Sequence, residues 1–229
     1  MKKIISYLFN RDKTFAKGLC FKKLFFVFLF GCVFGCVWEE MLEFFVQYTS
    51  TGTFNWITRR GLIYGELSPV YGGGAVLLTY FLMRRERSWY KNFLYGALIG
   101  GSFEYIASLV QETLTGSVSW DYSQEFMNIS GRTTIPFMLV WGLLALLFVY
   151  IFYPFLSSII EKIPYNIGNI LFYILLVLVI FDIVISIGAV FRHVLRRYGY
   201  PTYTPIGEFF DHFYPDERVA RVYNNAVLK

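Results

Sequence analysis

Hydrophobic and polar positions along this chain are sorted into long blocks. Five apolar runs stand out, at 24–46, 69–83, 93–114, 135–157 and 167–190. A helix needs about 20 apolar residues to cross the hydrocarbon core of a bilayer, so four of these runs predict membrane-spanning helices and the 69–83 run predicts a short one. Lipid offers no hydrogen bonds to a bare backbone, and runs of this length satisfy their own amides only as helices. The expected fold is therefore all-α, a polytopic membrane helix bundle with about five transmembrane helices. The stretch 54–67, apolar but rich in turn residues, is a candidate for a re-entrant segment. Outside the bundle at 24–190, residues 1–23 mix Ile4, Leu8, Phe9, Phe15 and Leu19 with Lys and Arg, the pattern of a basic interfacial segment. Residues 191–229 form a polar, aromatic C-terminal tail containing Pro201, Pro205 and Pro215, with little core of its own.

Composition strengthens this reading. The chain is 56% hydrophobic, 21% aromatic and only 16% charged, against about 25% charged for ordinary soluble domains. The net charge of +5 does not indicate nucleic acid, because the basic residues sit at the ends of apolar runs, where they set membrane orientation. Lys2, Lys3, Arg11, Lys13, Lys17, Lys22 and Lys23 precede the first run, and Arg84, Arg85, Arg87 and Lys91 separate the second from the third. Both regions are expected in the cytoplasm, with loops 47–68 and 115–134 outside. Five spans then leave Arg192, Arg196 and Arg197 outside as well. Either the tail departs from the rule or one more segment enters the membrane. The N-terminus lacks a clear small-residue cleavage site, and its apolar run is too long for a signal core. Cys20, Cys32 and Cys36 make no disulfide framework, and Cys32 and Cys36 read as small packing residues on one helix face.

Charges inside membrane helices cost about 2.5–3.5 kcal/mol each at the helix centre and need a partner or a cavity. Glu39, Glu40 and Glu43 fall in the first helix, Glu104 and Glu112 in the third, and Asp182 in the fifth. Glu40 and Glu43 are expected to reach head groups or water near the helix end. Asp182, with Ser186 one turn on, suits either a buried hydrogen bond to a neighbouring helix or a functional role. Glu39 and Glu104 fall at the depth of the outer loops, which carry Arg59, Arg60, Asp121 and Arg132. Acidic and basic groups are thus expected to converge on the outer side, with Arg60 or Arg132 as the partner of Glu39. The Gly-rich run after Arg60 lacks the Lys-Ser/Thr ending of a phosphate loop, and neither a GxSxG elbow nor an HExxH helix is present. His193 and His212, the two histidines, both lie in the tail.

These motifs resemble the CmpB-like family of ABC-transporter type IV permeases over about residues 25–163. That family carries G-W-x-x-E in its first helix. Gly35 and Glu39 match it here, with Cys36 at the tryptophan position. Its N-R-G-x-x-Y-G-P-x-x-P-x-Y-G segment is matched by Arg60, Gly61, Tyr64, Gly65, Pro69, Tyr71 and Gly72, with Arg59 and Glu66 replacing Asn and Pro. Its Glu-Tyr pair corresponds to Glu104–Tyr105. Its W-D-Y-S loop, closed by F-N-x-x-G-R, corresponds to Trp120 through Ser123 and to Asn128, Gly131 and Arg132. The resemblance implies a multi-pass protein of the bacterial plasma membrane, working as a permease with a separate ATPase subunit and open to homo-oligomerisation.

Taken together, the candidate binding residues are Glu39, Arg60, Tyr64, Tyr71, Glu104, Tyr105, Trp120, Asp121, Asn128 and Arg132. No catalytic residue, metal ligand or cofactor is assigned. The leading expectation is a transport component whose outer cluster contacts a solute or a lipid head group. One alternative is a membrane enzyme acting on a lipid-linked substrate, with Glu39, Glu104 or Asp121 as acid or base and Arg60 and Arg132 holding a phosphate. The other is a structural or sensory membrane protein.

Overall fold

The computed structural model describes residues 14–54 and 56–228. Most of the basic segment expected at 1–23 therefore lies outside the described residues. Helices α1 (Phe21–Thr51), α2 (Pro69–Leu82), α3 (Trp89–Thr115), α4 (Ile135–Leu147), α5 (Tyr153–Lys162) and α6 (Tyr165–Arg197) build the bundle. Among the described residues, four stretches are long and apolar enough to cross a membrane: α1, α3, the continuous run Ile135–Lys162, and α6. The short α2 lies beside them. The chain is a multi-pass membrane protein with an all-α bundle. Its large apolar side chains bear this out, since Phe45, Leu94, Leu143, Val177 and Ile187 are all more than half exposed on helix surfaces that lipid would cover.

Each boundary has a local cause. Gly52 closes α1 in the left-handed region (φ 69°), its N–H bonded to the Tyr48 carbonyl. Pro69 opens α2 at a position where the missing N–H costs nothing. Between α4 and α5 the chain widens into a π-helical turn, Phe148–Phe152. Pro154 follows, and its ring would clash with the carbonyl four residues back. The helices outrun the apolar stretches because they continue into water. At about 1.5 Å per residue the 33 residues of α6 span about 50 Å, so its last turns stand clear of the membrane. The 14 residues of α2 span only about 21 Å, well short of the core.

The segment before α2 makes up that deficit. Residues 59–68 form no helix and run into the bundle between α1 and α6. The Ile63 amide donates to Ser186 Oγ (2.9 Å), the Tyr64 amide to Asp182 Oδ1 (3.1 Å) and the Ser68 amide to the Cys32 carbonyl (3.1 Å). Leu62 and Ile63 are buried. Irregular backbone at this depth is tolerable because polar side chains of α6 satisfy it. Asp182 therefore serves the re-entrant loop rather than a neighbouring helix.

Two ends of the bundle can be distinguished. On one, Lys23 is fully buried and pairs with Glu161 (2.7 Å) and Ser157 Oγ (2.5 Å). The other carries loops 52–68 and 116–134 together with the tail, and is called the loop face below. The tail folds as α7 (Pro205–Phe213), α8 (Asp216–Val222) and strand β4 (Val227–Leu228), which pairs antiparallel with β1 (Ser117–Val118). Tyr214 and Val219 share a small core with Ile63, Ile185 and Ala189. The tail thus does bury apolar surface, in a core it shares with the bundle. Its arginines are neutralised locally: Arg192 Nη2 meets Asp211 at 2.6 Å, Arg196 bonds Asp211 and Asp216, and Arg197 donates to the Thr115 carbonyl (2.7 Å). Residues 59–68 and α2 together make a single crossing, so the tail, paired through β1 and β4, comes to lie on the loop face.

A candidate binding cavity on the loop face

A cavity of about 620 Å³ opens among α1, the start of α2, α3, α4, the two loops and the tail. Glu39, Arg60, Tyr71, Glu104 and Trp120 line it. Of the remaining sequence candidates, Tyr64, Tyr105, Asp121, Asn128 and Arg132 do not. Arg59, Tyr122, Trp141, His193, Arg197 and Tyr223 complete its polar and aromatic wall.

Close helix packing places the key rings. A Cβ at Gly35 of α1 would fall inside the Tyr71 ring, and one at Gly100 of α3 would collide with Trp141. Glycine at these two positions lets an aromatic side chain from the neighbouring helix lie flat against the backbone. Tyr71 is thereby held against α1, and its hydroxyl bonds Glu39. The partner of Glu39 is therefore a phenol, where an arginine was expected. Glu104, 9% exposed, likewise takes neutral donors: Tyr122 Oη (3.1 Å), Thr133 Oγ1 (2.7 Å) and the Trp141 side chain. Burial and the neighbouring Glu104 push the Tyr122 phenol well above its ordinary range, so it remains a donor.

The arginines are held elsewhere. Arg59 Nη2 pairs with Glu43 (2.7 Å). Arg60 Nη1 lies 3.9 Å from Glu66. The Nε atoms of both are buried and make no hydrogen bond among the described residues. Arg132, expected in the cluster, turns instead to Glu112 at the end of α3, with its guanidinium 5.8 Å over Tyr105.

The second loop is built by its own polar side chains. Strands β2 (Asn128–Ile129) and β3 (Thr133–Thr134) form a minimal hairpin turning through Ser130 (φ 54°) and Gly131 (φ 66°). Asn128 donates to the Ser123 and Glu125 carbonyls and accepts from the Gly131 amide. Asp121 accepts from the Ser123 amide (2.9 Å), and the Trp120 indole donates to the Arg132 carbonyl (2.9 Å). Asp121 and Asn128 shape the loop, whose Trp120 and Tyr122 reach the cavity.

Glu40 overturns its expected place at the head groups. It is 2% exposed and accepts from Trp56 Nε1 (3.1 Å), Thr58 Oγ1 (3.1 Å) and the Arg59 amide (3.0 Å). Those donors arrive from the re-entrant loop, which folds back over α1. Donor atoms of Cys36, Glu40 and Glu66 all lie within 4.8 Å of one another, close enough to hold a cation. The Glu40 oxygens are already engaged, however, and the trio reads as a polar staple fixing the loop. Arg59 was expected among the converging charges, whereas Tyr122 and Trp141 escaped sequence reasoning as cavity residues. Only the W-D-Y-S motif pointed near one of them.

A family model described as "Putative ABC-transporter type IV" matches residues 26–187. The chain belongs to that CmpB-like family. The matched stretch takes in α1 to α5, both loops and most of α6. Arg192 and the docked tail lie beyond it. No curated protein and no solved structure matches the chain.

Proposed function

We propose that this CmpB-like protein is a transport component of the bacterial plasma membrane whose loop-face cavity binds a solute or a lipid head group. The observation that carries the reading is the cavity itself: carboxylates from α1 and α3 and arginines from the re-entrant loop face one space of about 620 Å³. That size suits a small molecule or a head group, since ligand pockets run about 300–1,000 Å³. A purely structural cluster would pair its charges. Here Glu39 and Glu104 form no ion pair among the described residues. Lys22, Lys23, Arg84, Arg85 and Arg87 all belong to the opposite end, which supports a cytoplasmic position for that end and an outer one for the cavity. A separate ATPase subunit would meet the cytoplasmic end. The connections there are short, with α2 and α3 joined by residues 83–88 and α5 and α6 by 163–164, so docking would rest on helix ends.

Filling the cavity tests the reading. Ser119→Trp should melt close to wild type in detergent, because Ser119 sits in a loop on the cavity wall. It should fail to rescue a deletion strain's phenotype. Full rescue by the filled variant would refute the proposal. For sidedness, cysteines introduced at 119 and 88 should respectively accept and resist an impermeant maleimide in intact cells. The reverse pattern overturns the orientation.

A further inference from the structure

The cavity is lined by both carboxylates and arginines. Glu39 and Glu104 lie together at one end, linked through tyrosines: Tyr71 bonds Glu39 and senses Glu104, while Tyr122 bonds Glu104 and senses Glu39. Phe103 and Trp141 line the cavity with them. Arg59 and Arg60 come from the re-entrant loop: Arg59 turns to α1, paired with Glu43 and acting on Glu39, whereas Arg60 faces Asp182 and Tyr223 on the α6 and tail side. We propose that the cavity takes a zwitterionic ligand, its ammonium seated at Glu39 and Glu104 and its phosphate or carboxylate at Arg60. The inference rests on the cavity being the binding site proposed above.

Each end lacks what such a ligand supplies. Phenol, hydroxyl and indole donors satisfy the carboxylates' lone pairs but bring no positive charge. An ammonium brings both, and the surrounding rings present their negative faces to it. These rings favour an organic ammonium over a metal ion, which would seek further oxygen ligands. At the other end the Arg60 Nε has no acceptor among the described residues, and its Nη1 lies 3.9 Å from Glu66, beyond hydrogen-bond distance. A guanidinium engaged this loosely offers the fork that phosphate and carboxylate accept. A simple anion would fill one end and meet two carboxylates at the other, and a simple cation would meet the arginines. A molecule carrying both signs complements both ends.

Two sources share this chemistry, a zwitterionic phospholipid head group and a soluble zwitterion, and the test separates them. The full chain is purified in a nonionic detergent and titrated with phosphoethanolamine, ethanolamine and inorganic phosphate. Tryptophan fluorescence and melting temperature are followed, since Trp120 and Trp141 line the cavity. Phosphoethanolamine should bind at least about tenfold more tightly than either half. Glu39→Gln should abolish that advantage while keeping phosphate binding, and Arg60→Gln should do the opposite. Glu104→Gln repeats the first result, and if it does not fold, the half-buried Glu39 carries the test. Nanodiscs of phosphatidylethanolamine against phosphatidylglycerol then assign the source: stabilisation by the former supports the lipid, and response to the soluble probe alone supports the solute. Equal binding of phosphate and phosphoethanolamine, untouched by Glu39→Gln, would overturn the zwitterion while leaving the cavity a binding site. No response to any probe would overturn it too. Functional rescue by Ser119→Trp would bring down the binding-site reading itself.

Discussion

The docked tail covers part of the cavity wall through Val219, Ala220 and Tyr223, and its hold on the bundle centres on Asp211. This carboxylate takes both Nε (3.0 Å) and Nη2 (2.6 Å) of Arg192 and also meets Arg196. Asp211→Asn would leave the Arg192 guanidinium, 8% exposed, without a counter-charge. Removing one partner of a fully buried pair costs about 3–5 kcal/mol. Asp211 is itself 26% exposed, and Arg196 keeps Asp216. The expected loss is therefore smaller, about 1–3 kcal/mol. That corresponds to about 5–150-fold more frequent opening of the tail. Native-state hydrogen exchange of residues 205–228 reads this directly, with amides of α1 as the unaffected control. The effect should also follow pH. Arg192 first, then Arg196, hold the Asp211 carboxyl below its ordinary value. A depressed carboxylate stabilises the fold above its unfolded-state pKa of about 3.9, and the contribution fades as pH falls through the lower folded value. Tail protection should thus decline in acid, and Asp211→Asn should reduce this decline to the part that Asp216 carries. Unchanged exchange in the variant at neutral pH would show that Asp211 does not hold the tail.

Lys23 and Glu161 make an asymmetric pair, 0% and 33% exposed. Glu161→Gln strands a buried ammonium and should cost about 3 kcal/mol, whereas Lys23→Met leaves a carboxylate that water reaches and should cost less. Melting curves in detergent that reversed this order would contradict the burial of Lys23. Gly35→Ala should force Tyr71 off α1, with an over-packing cost of about 1–3 kcal/mol. It should also weaken phosphoethanolamine binding through the lost Tyr71–Glu39 bond, and a variant with wild-type melting and wild-type binding would refute that packing.

The sequence alone determined the class of molecule and the rough extent of its spans, because transfer of long apolar runs into lipid is a local property that each run carries by itself. It also brought Glu39 and Glu104 near the loop that carries Arg60, since position along a helix fixes which end of the bundle a residue approaches. Which residue faces which was decided by the tertiary structure. Glu39 meets Tyr71 because Gly35 lets two helices close around a ring, a contact 36 positions away in sequence that no periodicity reports. Arg132 turned to Glu112 because the hairpin at 128–134 aims it at the end of α3. Glu40 is buried because residues 56–59 fold back over it. The tail looked polar and coreless because Tyr214 and Val219 complete their core with Ile63, Ile185 and Ala189 of the bundle. Pairing of charges and docking of short segments depend on approach angles between distant elements, and those exist only once the bundle has assembled.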